Sequence, residues 1–456
     1  MPNSASRRSK REAGAWPVPV PSRAELTCAF AQALDLAEGK EPGHAARVCY
    51  IALNLAQAAE LSQDERRAVF YGALLHDAGA VHASAGVCRL LGLTEESLFG
   101  AEAGLPPEQI AYQVAPRSTE RVVKALRAHV QHGAKVAEAL GFDATVREAI
   151  VAHHERWDGK GYPRALKGED IPLAGLLVGA ADLIESLISS DGHPLVARRN
   201  LLSALAEHGG GALESELAEH ALRLARSDEF WLGLHNASLQ SDLAASCPKG
   251  PGDDDRSPAD ALTFASVFAG LADAKGEHTA NHSTRTAEIV DQLAEALGFS
   301  EGRREMLRIA ATAHDVGLLG VAARTIAKPD ILSLAEMETM RKHPSYSQLV
   351  IEALPDLEEI ARWVGAHHER PDGKGYPEML EDEMIPLEAR IIAVADTYVA
   401  LTSPRPYREA LSDEDARQVL EGGAGSQLDK KLVKLLAARP AQARSSRTAR
   451  RSRRTR

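Results

Sequence analysis

Seven side chains in the first half of the chain, His44, His76, Asp77, His129, His153, His154 and Asp182, recur in the second as His282, His314, Asp315, His343, His367, His368 and Asp396. His44 to His76 and His282 to His314 are both 32 residues apart; His129 to His153 and His343 to His367 are both 24; His153 to Asp182 and His367 to Asp396 are both 29. An isolated histidine on a helix is ordinarily packed or solvated, but ligands of a shared ion cannot slip in register, so the doubled set points to one metal centre per half. Neutral imidazoles with carboxylates suit iron, manganese, zinc or magnesium rather than thiophilic copper. Seven donors exceed what one tetrahedral ion takes, and an aspartate between two ions can bridge them. Paired divalent ions generate hydroxide near neutral pH and stabilise both oxygens of an in-line phosphoryl displacement, so the chemistry indicated is hydrolysis of a phosphate ester.

The elements that must position these groups read as helices. Hydrophobic residues make up 44% of the 456 and aromatics only 4%, which suits packed helices better than sheets, and the fold class expected is all-α. The repeat makes two the economical domain count. Residues 1–23 are expected to be a disordered leader, 24–243 a first domain, 244–258 (Pro, Gly and an acidic run) a linker, 259–438 a second domain and 439–456 a disordered tail. The interval from His76 to His129 exceeds that from His314 to His343, 53 residues against 29. The insertion, residues 81–116, reads as surface decoration from loop length, with a lid over the site as the other reading. Each His-Asp pair is expected to end a helix, begun by the capping box of Ser62 and Glu65 in one half and by Ser300 in the other. Pro172 and Pro386 fit the first turn of apolar helices ending at Asp182 and Asp396.

Formal net charge is −11, yet residues 439–456 carry eight arginines and no acid, leaving −19 for the remainder. The body repels polyanions. The tail is a solubilising extension or a weak, salt-sensitive contact with nucleic acid or an acidic partner. No apolar run approaches the roughly 18–20 residues that span a bilayer, and the basic N-terminus leads into WPVPVP rather than a signal core. A soluble cytoplasmic protein without membrane contact is expected. Cys28, Cys49, Cys88 and Cys247 have no C-x-x-C spacing and imply neither disulfide nor thiolate site.

The motifs HHERWDGKGYP (153–163) and HHERPDGKGYP (367–377) resemble the signature of the HD-GYP family, within the HD superfamily of metal-dependent phosphohydrolases. The likeness continues through IPLEARIIAVAD (385–396) and LTSPRPYR (401–408) and covers nearly all of both domains. It implies two tandem HD-type helical domains, each active one with two or three divalent ions, iron or manganese first, magnesium, nickel or zinc otherwise. The activity implied is hydrolysis of cyclic di-GMP or a related cyclic dinucleotide. Carried over to the second copy, His314 and His343 would bind one ion with His282 and Asp396, His367 and His368 the other, and Asp315 would bridge. Tyr376, Arg405 and Arg408 would hold substrate. His278, four residues before His282, occupies the place where some members support a third ion, though a solvent-exposed histidine is the other reading; Lys40 stands there in the first copy, beside Glu41. Glu155, Arg156, Glu369 and Arg370 would pair with each other or orient ligands from outside.

The departures are as specific as the matches. The family's lysine three residues after the His-Asp aspartate is Ala80 in one copy and Leu318 in the other, removing a cation that stabilises transition-state charge. Its acid three residues after the last metal aspartate is Glu185 in the first copy and Val399 in the second, and the first copy lacks an arginine matching Arg405. Catalysis is therefore expected mainly in the second domain. A catalytically weak metal- or nucleotide-binding module signalling to a protein partner, and a phosphohydrolase of another nucleotide or phosphoester, are the other readings.

Overall fold

Caps written in the sequence start the helices that carry the site. In a computed structural model, which describes residues 19–57, 59–99, 105–189, 194–250, 253, 256–276, 281–404 and 409–439, Ser62 opens the helix Gln63–Leu75 through a reciprocal capping box with Glu65. Ser300 caps Glu301–Ala313 by accepting from the Arg303 N–H. Both helices end where the His-Asp pair begins, with His76 and His314 as the C-terminal caps. The fold is all-α: among the described residues no strand forms, only isolated bridges such as Gly209 with Leu213 and Ala424 with Leu428.

Six helices surround the first centre: Arg23–Glu38, His44–Ala56, Gln63–Leu75, Thr119–Ala139, Ala144–Ala152 and Leu173–Ser189. Their counterparts around the second are Pro258–Ala274, His282–Ala296, Glu301–Ala313, His343–Glu352, Glu358–Gly365 and Leu387–Leu401. Two boundaries differ from expectation. Pro172 and Pro386 precede their helices rather than lying in the first turn, and Asp182 and Asp396 sit mid-helix, because the apolar run continues past each acid to Ser189 and Leu401.

One apolar core runs through both halves. The helix Arg23–Glu38 is buried along most of its length and sends Phe30 against Phe264 and Phe268 of the second half, ring centroids 6.1 and 4.7 Å apart. The stretch expected as a free linker is tied down: Asp253 is buried, takes the Arg67 guanidinium at 2.7 and 3.1 Å and accepts from the Tyr71 hydroxyl at 3.2 Å. A buried carboxylate is tolerable only with such partners, so this pairing anchors the crossing. Of the expected leader, Ser22 caps the first helix and residues 1–18 lie outside the described residues, as do 440–456 of the tail. No helix among the described residues is long and apolar enough to cross a membrane. The four cysteines are free.

Candidate metal centres

Three ligand histidines in each half are aimed by their own backbone. His314, His343 and His367 place Nδ1 2.7, 2.8 and 2.5 Å from the carbonyls of Ala311, Met340 and Val364, three residues earlier in each case. A carbonyl can only accept, so Nδ1 carries the hydrogen and the Nε2 lone pair faces the cavity. The first half repeats this: Nδ1 of His76 and His153 donates to Ala73 and Ile150 at 2.8 and 2.7 Å, and that of His129 to Leu126. Nε2 of His76, His129, His153 and His314 is buried and without a hydrogen-bond partner. Four orphaned lone pairs in a protein interior cost free energy unless something electrophilic meets them, so these donors fit a metal.

In the second half the donors fall into two groups that meet at one carboxylate. Asp315 Oδ1 lies 3.2 Å from His343 Nε2 and 3.7 Å from His367 Nε2, while Oδ2 lies 3.4 Å from His314 Nε2 and 3.6 Å from His282 Nε2. His368 joins the first group, its donor atom within 4.8 Å of the others. Asp396 Oδ1 joins the second, 3.0 Å from His282 Nε2 and 4.0 Å from His314 Nε2. The partition carried over from the resemblance placed His343 with His314; here its Nε2 lies 3.3 Å from that of His367. Two lone pairs at that separation repel unless a cation lies between them, which assigns His343 to the group with His367 and His368. The first half has the same arrangement, with Asp77 Oδ1 toward His129 and His153 at 3.4 and 3.7 Å and Oδ2 toward His76 at 3.1 Å; Asp182 Oδ1 is 3.6 Å from both His44 and His76.

Electrostatics keep His367, His368 and Asp315 in ligand form, while at His282 the effect of burial is outweighed by the carboxylate of Asp396, which raises its pKa. Burial, reinforced by the imidazole of His343, pushes His368 down to about 4, and burial beside His368 lowers His367 well below the usual range. Burial opposes ionisation of Asp315, but His314 and His343 outweigh it and hold the carboxyl well below its ordinary value. Burial raises the Tyr376 hydroxyl, so it stays protonated beside the site.

The GYP loops wall the cavities. Tyr376 lies against His368 with centroids 4.9 Å apart, and Tyr162 against His154 at 4.6 Å. Glu369 holds its loop closed, accepting the Glu378 and Leu380 N–H groups at 2.6 and 2.9 Å, and Arg370 forks onto Asp372. Glu155 binds Arg164 and Leu166 N–H in the same way. These groups shape the loop. Ala80 is buried and Leu318 half-buried against the core, so neither supplies a cation. Arg405, Arg408 and His278 lie outside the described residues.

Two features went unread in the sequence. Arg341 places its guanidinium carbon 5.5 Å from the Tyr376 centroid, giving the mouth of the second centre a positive charge; Arg127 stands at the same place, two residues before His129 as Arg341 is before His343, and that repetition was the available signal. The insertion, read as surface decoration, instead roofs the first cavity. Leu98, Phe99, Leu105, Pro106 and Ile110 line it with His129, His154 and Tyr162, and the Phe99 ring stands 5.8 Å from His129. The cavity, open to solvent on one side, has a volume of about 120 Å³, below the roughly 300 Å³ of ordinary small-molecule pockets.

Residues 100–208 and 266–432 match the HD-domain family. Over 428 residues, 89% of this chain and 92% of that protein, the chain is 29% identical to the 3'3'-cGAMP-specific phosphodiesterase 3 of Vibrio cholerae. A cyclic di-GMP phosphodiesterase response regulator of Xanthomonas campestris is 39% identical over 157 residues, 33% of this chain and 41% of that protein. The crystal structure of a cyclic GMP-AMP-specific phosphodiesterase of V. cholerae superposes with a TM-score of 0.66 at 27% identity, covering 92% of this chain and 97% of that one.

Proposed function

The chain belongs to the HD-domain family, and from that premise we propose that it is a metal-dependent phosphodiesterase of cyclic dinucleotides, built as tandem units over residues 24–243 and 259–438, with hydrolysis at the second centre. The observation that carries this reading is Asp315, one oxygen toward His343 and His367 and the other toward His282 and His314. Divalent ions there, iron or manganese as the family resemblance implies, would supply an acidified water and offset charge on the phosphoryl oxygens. His343, His367 and His368 would hold one ion; His282, His314 and Asp396 the other.

The chain's own groups complete the site. The protonated Tyr376 hydroxyl is a donor for a phosphate oxygen, and Arg341 draws a dianionic ligand to the mouth and offers the planar fork that matches phosphate. Arg405 and Arg408 would contact substrate from the segment that follows the Asp396 helix. Two long relatives are named for cyclic GMP-AMP and shorter matches for cyclic di-GMP, so both belong in the substrate set. The insertion covers the first centre and has no counterpart at the second, which favours the second centre for turnover. A cytoplasmic location is part of the proposal.

The test is anaerobic purification, metal loading and incubation with cyclic di-GMP and 3'3'-cGAMP, with linear products followed by chromatography. Wild-type protein should open at least one ring, and Asp315→Asn, which removes the shared carboxylate, should match the blank. Full metal content with neither ring opened overturns the reading.

A further inference from the structure

The two centres differ at one point inside the ligand sphere. In the first half the Lys40 ammonium lies 2.8 Å from His44 Nε2 and 3.4 Å from Asp77 Oδ2. These are donor atoms of the group formed by His44, His76 and Asp77. His44 Nδ1 donates to Glu185 Oε2 at 2.5 Å, so its Nε2 lone pair is the acceptor facing Lys40. A transition ion bound to that nitrogen would stand about 2.0–2.1 Å from it. Ammonium and ion thus compete for one place, and beside each other they would repel.

Lys40 is held there by structure of its own. Glu38, buried, pairs with it at 2.7 Å. The chain turns through Gly39 at φ +78°, where a Cβ would strike the Cβ of Glu96 at 2.6 Å, so the insertion pins the turn. The Lys40 N–H donates to the Asp35 carbonyl at 2.9 Å. The second half is built otherwise: Gly276 stands where Glu38 does, and the position of Lys40 is His278. Glu38 and Lys40 are a matched pair found in one copy, and the pair places a positive charge where the carboxylates of Asp77 and Asp182 require one.

We propose that in the first half the Lys40 ammonium takes the place of one of the two divalent ions, so that this centre holds a single ion, on Asp77, His129, His153 and His154. The inference rests on the reading of both centres as metal sites, and it makes the first a one-ion centre under a roof, a site of binding rather than turnover.

The test is metal content of the full-length protein, purified anaerobically, loaded with manganese, desalted and measured by mass spectrometry. Wild type should retain about three ions per chain, two of them in the second half, and Lys40→Met about four, since removing the ammonium frees a second place. Because Lys40→Met leaves Glu38 unpaired, Glu38→Gln/Lys40→Met serves beside it, with melting curves to confirm folding; it should gain the same ion. Adding His44→Ala to either variant should remove the gain, and in the wild-type background should change the count by none. Four ions in wild type, or a folded Lys40 variant with no gain, overturns the proposal. Failure of the hydrolysis assay leaves the difference in count untouched, so the two readings fail separately.

Discussion

His44 and His282 begin equivalent helices and face equivalent aspartates, yet only one is held from behind. Glu185 accepts from His44 Nδ1 and takes the Arg47 side chain at 2.7 Å; at the same place the second half has Val399, fully buried, and His282 Nδ1 is buried with no hydrogen-bond partner. An imidazole without that support is oriented only from its Nε2 side, and loss of such a partner ordinarily costs ten- to a hundredfold in metal affinity. Val399→Glu should therefore tighten the ion at His282, His314 and Asp396 by about tenfold, read as the chelator concentration that strips half of the metal from the folded protein. The Glu185 pocket shows that this packing accepts a carboxylate beside an arginine, and Arg285 lies on the same helix as His282, bonded to Thr402 and Ser403. Unchanged affinity would mean that the helix alone fixes the ring.

At the scale of elements, what brings His343 to the centre is the absence of a side chain at Gly317. A Cβ there would lie 2.1 Å from the His343 carbonyl and 2.6 Å from the Ser347 N–H, and the Gly317 N–H donates to Ser347 Oγ at 2.8 Å. Gly79 meets the backbone of His129 and Gly133 in the same way. Gly317→Ala must push the helix His343–Glu352 outward, costing about 1–3 kcal/mol in overpacking and moving His343 off its partners. Chemical denaturation should show that loss, and the metal bound by His343, His367 and His368 should fall with it; retention of both would show that the helix can slide. The capped helices ending in His-Asp and the ligand spacing were legible in sequence because each depends on neighbours a few residues away or on a repeat. The sorting of His343 and the roof formed by Phe99 and Ile110 were not, since they depend on which distant helices pack together. Composition identified a crossing at 244–258 but carried no sign that Asp253 would find Arg67.

In the whole molecule the two halves are fastened by groups that neither could bury alone. Lys275 is buried in the second half, its ammonium donating to the Leu319 carbonyl at 2.5 Å and lying 3.5 Å from Glu95, on the insertion that roofs the first centre. Glu95 also accepts from the Ala323 N–H at 3.2 Å. A charge so placed holds the roof against the segment that follows Asp315. The helix Arg23–Glu38 adds the apolar share, with Phe30 fully buried between the halves. Interfaces between independent domains are more polar and allow each unit to unfold separately; a shared core of this kind predicts one cooperative transition. Phe30→Ala should cost roughly 3–5 kcal/mol and shift that transition as a unit, so that loss of helix and release of metal from both centres move together along a urea titration. Two separate transitions in wild type, or a variant in which one centre keeps its metal at the original urea concentration, would show that the halves are joined by the crossing at Asp253 and little else.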